Sequence, residues 1–89
     1  MNLNLVQKVT QLYNSYVTKL MNAPTGYKKV LGQKVPTVWE LKRTFTSQLA
    51  ELAEVAEAIG DREALDMCKG MVNRDEADVK ANIDKINNL

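Results

Sequence analysis

Apolar residues recur at spacings of three and four along most of this 89-residue chain, the period of one helix face rather than of a strand. The clearest run is Thr37 to Gly60. Val38, Leu41, Phe45, Leu49, Leu52, Ala56 and Ile59 form one stripe there, and Glu40, Arg43, Thr44, Ser47, Glu51 and Glu54 fall on the other side. Both ends of the run are marked. Thr37 followed by Glu40 has the form of a capping box, in which hydroxyl and carboxylate satisfy each other's backbone N–H. Pro36 biases Val35 away from helical backbone, and Gly60 suits the left-handed residue that closes a helix. The pattern predicts a helix over 38–59, about 33 Å long.

A second stripe, Leu5, Val9, Leu12, Tyr16 and Leu20, predicts a helix over 3–22. Val6, Tyr13 and Val17 widen it beyond the needs of a three-helix core, a pattern that favours self-association. Asn2 or Asn4 can cap its start, and Ala23-Pro24-Thr25-Gly26 stops it. The connection 23–36 is long for a link between helices. It reads either as a β-hairpin around Leu31-Gly32 or as an ordered loop laid on the bundle. The loop is preferred, because an isolated two-stranded hairpin is marginal in water.

After Gly60, Asp61 is placed to cap a third helix, and so short a link makes an antiparallel pair. Leu65, Val72, Val79 and Ile86 stand seven apart, with Cys68, Met71 and Ile83 beside them. Asp75 and Asn82 interrupt the matching positions of the seam. Gly70 and Asn73 weaken the middle, and Asn73 with Glu76 resembles another capping box. Two versions follow: one helix over 62–88, favoured by the unbroken seven-residue register, or a break near 70–74. The expected fold is all-α, a single-domain bundle of three or four helices with a structured basic loop after the first.

Charge adds direction to this picture. Residues 1–39 contain five lysines and no acid; residues 40–89 contain seven basic and eleven acidic side chains. Such a field acts on partners and association rates rather than on the fold. No apolar run approaches the roughly 20 residues of a membrane span, and the N-terminus lacks the pattern of a signal peptide. A single cysteine suits a reducing compartment. The expected location is therefore cytoplasmic, without membrane contact.

Candidate chemistry is sparse. The chain has no histidine, which removes the commonest general base and metal ligand. Cys68 has no histidine to activate it and falls on an apolar stripe, where a small buried hydrophobe is the expected role. Glu51, Glu54 and Glu57 lack metal-ligand spacing and read as a solvated face. No metal, cofactor or catalytic residue is expected.

What remains points to binding. Tyr27 and Trp39 are large aromatics suited to anchoring an interface, with Lys28, Lys29, Lys34 and Arg43 as a charged rim. The expected function is a non-catalytic protein-interaction module, an adaptor or inhibitor of another macromolecule, with another protein as partner, that also self-associates into a homo-oligomer. The alternative is an anion binder, for nucleic acid or a nucleotide, in which Lys28, Lys29, Lys34 and Lys42 hold phosphates.

Overall fold

The computed structural model describes residues 4–22, 27–72 and 80–89. Helix α1 spans Leu5–Asn22, strands β1 and β2 span Tyr27–Val30 and Gln33–Pro36, and helices α2, α3 and α4 span Thr37–Ile59, Arg62–Met71 and Lys80–Asn87. The architecture is a small all-α bundle carrying one two-stranded hairpin.

Local chemistry sets the helix ends. At α1, Asn4 Oδ1 accepts from the Gln7 N–H at 2.8 Å, and the Asn4 N–H donates back to Gln7 Oε1 at 3.4 Å. This reciprocal pair is a capping box built from two amides. Helix α2 begins at Thr37, one residue before the expected 38, with Pro36 in extended backbone ahead of it. Its far end closes at Gly60, with φ 76° and ψ 23°. The Gly60 N–H donates to the Glu57 carbonyl at 3.3 Å and the Asp61 N–H to the Ala56 carbonyl at 2.8 Å. That pair of bonds is a Schellman motif. Asp61 then caps α3, its Oδ1 accepting from the Ala64 N–H at 3.2 Å.

Helix α2 is the spine, touching α1, α3 and α4. Its buried face is Phe45, Thr46, Leu49, Ala50, Ala53 and Ala56. This face is rotated from the apolar stripe, since Val38 and Ile59 are exposed and Leu41 and Leu52 half-buried. Ala50, Ala53 and Ala56 are covered on this face beside the bulkier Phe45 and Leu49. Leu5 and Val9 enter from α1, Ala64, Leu65 and Cys68 from α3, and Ile86 from α4.

Two expectations are corrected. Residues 27–36 form a hairpin, not a loop, with Tyr27 opposite Pro36, Lys28 opposite Val35, Lys29 opposite Lys34 and Val30 opposite Gln33. The marginal stability of an isolated hairpin does not apply here, because β2 runs straight into α2 and packs against it. The favoured single helix over 62–88 is also not formed. Helix α3 stops at Met71, and Val72 is extended at φ −70° and ψ 134°. Val79 and the Asn73–Glu76 box lie outside the described residues. The seven-residue register reported which side chains are buried (Leu65, Cys68, Ile83 and Ile86 all are) but not whether the backbone between them is continuous.

Candidate functional site

Among the described residues, the hairpin turn has the most unusual backbone. Leu31 has φ 52° and Gly32 has φ 81°, and two successive positive φ values mark a type I′ turn. This turn matches the twist of paired strands but favours Asn, Asp or Gly at both central positions. For a leucine, left-handed backbone costs about 1–2 kcal/mol. Gly32 needs its missing Cβ for the same φ. Leu31 is 100 % exposed, so no packing within the chain offsets the strain.

Lys29 and Lys34 flank this tip. They are directly opposite in the ladder, which puts their Cβ atoms on one face at about 5 Å. Both are exposed, and neither has an ion-pair partner among the described residues. Opposed like charges destabilise a sheet pair. The register thus concentrates positive charge beside an apolar tip, at a cost to the hairpin itself. Tyr27 and Lys28 are strand positions in β1; their side chains lie outside what the structure describes.

The other expected site residues sit on α2. Trp39, Lys42 and Arg43 share a face by their three- and four-residue spacing. Trp39 and Lys42 are half-buried and Arg43 is exposed. Arg43 lines a shallow hollow with Thr44, Ser47, Gln48 and Asn82. The expected residues therefore form two groups, one on the hairpin and one on the first turns of α2.

A cleft of about 300 Å³ between α1 and α2 has no counterpart in the sequence reading. Its floor is Tyr16 stacked on Phe45, with ring centroids 4.1 Å apart and planes 8° from parallel. Tyr13 meets the same Phe45 ring edge-on, centroids 6.3 Å apart. Lys19, Glu40, Ser15, Thr37, Thr44 and Gln48 surround the floor. An apolar floor with a polar rim suits a small amphipathic group. Tyr16 and Phe45 were legible only as stripe residues, because helix periodicity does not report how two helices register against each other.

Cys68 is buried, and burial pushes its thiol up to about 11. A thiol held protonated is a poor nucleophile, in keeping with a packing role. Among the described residues no cluster of three or more His, Cys, Asp or Glu side chains could hold a metal ion, and no helix is long and apolar enough to cross a membrane. Glu51 and Glu57 are exposed, and Glu54 pairs with Lys85 of α4 at 2.6 Å.

Comparisons of the chain with family models, with curated proteins and with solved structures give no match.

Proposed function

We propose that this protein is a non-catalytic interaction module whose working end is the hairpin tip together with the first turns of α2. The observation that carries this reading is Leu31, held in left-handed backbone with its side chain fully in solvent. Strained residues persist where function uses them. An apolar tip between two lysines has the makeup of an interface anchor with a charged rim. It fits a folded protein that offers an apolar socket in acidic surroundings, and binding there makes the module an adaptor or an inhibitor of that protein. Trp39 and Arg43, on the first turns of α2, extend the contact.

The substitution Leu31→Asn separates binding from folding, because asparagine accepts left-handed backbone and removes the apolar group. A protein captured from the native host by the wild-type chain is expected to bind Leu31→Asn about tenfold more weakly or worse. Equal capture by both chains would refute the role of the tip.

The Lys29–Lys34 pair favours a second reading, an anion site for nucleic acid or a nucleotide, with Lys28 and Lys42 contributing. Binding of an oligonucleotide would then fall steeply with salt and drop in a Lys29→Gln, Lys34→Gln chain. Salt-insensitive binding that survives both substitutions would remove this alternative.

A further inference from the structure

Residues 27–43 hold five basic side chains against one acid, Glu40, while residues 51–66 hold six acids against one base, Arg62, with Glu54 further paired to Lys85 of α4. Helix α2 runs from Thr37 in the first segment to Ile59 in the second, and its two ends lie about 33 Å apart. The molecule is accordingly elongated, 41 × 28 × 19 Å, with a positive end and a negative end. Each end also exposes apolar surface. The positive end has Leu31. The negative end has Val55 and Ile59, 47 % and 66 % exposed, one helical turn apart on the same face. Glu51 lies one turn before Val55 on that face, and Glu63 follows across the α2–α3 turn. Both are exposed without an ion-pair partner among the described residues.

From these two ends we infer that the chain associates head to tail. The hairpin tip of one copy seats on the acidic end of α2 of the next, with Leu31 against Val55 and Ile59. Lys29 and Lys34 face Glu51 and Glu63 across that contact. The inference rests on the proposed role of the hairpin and names a second copy of this chain as a partner. Charge complementarity selects this contact over its alternatives. Two hairpins meeting each other would oppose four lysines, and two acidic ends would oppose their glutamates. A head-to-tail contact uses different surfaces on the two copies. It leaves one hairpin and one acidic end free on every dimer, so assembly continues into a ring or an open chain.

Sedimentation of the full chain and two surface variants tests this. One variant carries Leu31→Asn, Lys29→Gln and Lys34→Gln; the other carries Val55→Gln and Ile59→Gln. All five positions are exposed, and circular dichroism confirms that each variant is folded. At low salt the wild-type chain is expected to grow past dimer as concentration rises towards about 1 mM. Salt at about 0.5 M should reverse this growth by screening the two ends. Each variant alone should associate at least about tenfold more weakly. An equimolar mixture of the two should form dimers and stop there, because only one intact contact exists between them. A wild-type monomer at every concentration would overturn the inference and leave the proposed binding role to its own test with Leu31→Asn. Wild-type assembly that either variant retains, or a mixture that does not pair, would also overturn it. Loss of assembly in the acidic-end variant alone would count against the hairpin as a contact surface and so against the proposed function too.

Discussion

Asn82 of α4 donates through Nδ2 to the Thr46 hydroxyl of α2 at 3.4 Å. Thr46 is buried at 1 % exposure, and its hydroxyl donates in turn to the Arg43 carbonyl at 3.0 Å. Asn82 is one of the polar residues that interrupt the apolar seam, and this bond explains its place: it ties the last helix to the spine. No buried side-chain nitrogen or oxygen among the described residues is left without a partner. Thr46→Val and Asn82→Ala are each expected to cost about 1 kcal/mol. The double variant Thr46→Val, Asn82→Ala should cost less than the two singles added, since it removes both partners together. Urea unfolding of the three chains checks this; strict additivity would mean that the two groups are not coupled.

The Schellman closure of α2 makes a second prediction. A Cβ built on Gly60 meets nothing within 4 Å, so only the backbone, at φ 76°, resists a side chain there. Gly60→Ala should destabilise by about 1 kcal/mol, and Gly60→Asn by less, because asparagine tolerates the left-handed region. Equal unfolding midpoints for glycine and alanine would contradict the assignment of this cap.

Cys68 predicts a pH dependence. Its thiol is raised from 9.0 to about 11 by burial. Between these values the unfolded chain has lost the proton and the folded chain keeps it. Stability from this group is therefore fully present below pH 9 and is lost as pH rises through about 11. Cys68→Ala should lack this component, so the stability difference between wild type and variant should narrow or reverse over that interval. Parallel curves for the two chains would show that burial does not hold the proton.

Much of the fold was legible because helix ends are encoded locally. Gly60, Asp61 and Asn4 each close or open a helix through bonds within a few residues. The buried stripe of α2 was displaced because Ala50 and Ala53, which carry little hydrophobic signal, face the core while Val38 and Ile59 face solvent. The hairpin was underweighted because an isolated hairpin is marginal in water, and the sequence does not show that β2 packs against α2. The break after Met71 was hidden by a register that reports burial rather than continuity. For the site, the lysines were visible in sequence, but their opposition across the ladder depends on the turn. The Tyr16–Phe45 cleft depends on the register of two helices, which no local pattern specifies.

On the proposed function, Leu31 occupies a strained turn for the sake of contact. The unfolding free energy of Leu31→Asn relative to wild type, measured by chemical denaturation on dilute samples, tests it most directly. If the left-handed backbone at φ 52° is a cost borne by an otherwise free side chain, the variant should be more stable by about 0.5–1 kcal/mol. A variant of equal or lower stability would mean that the turn carries no strain at Leu31, and the hairpin tip would lose its claim to be the working end.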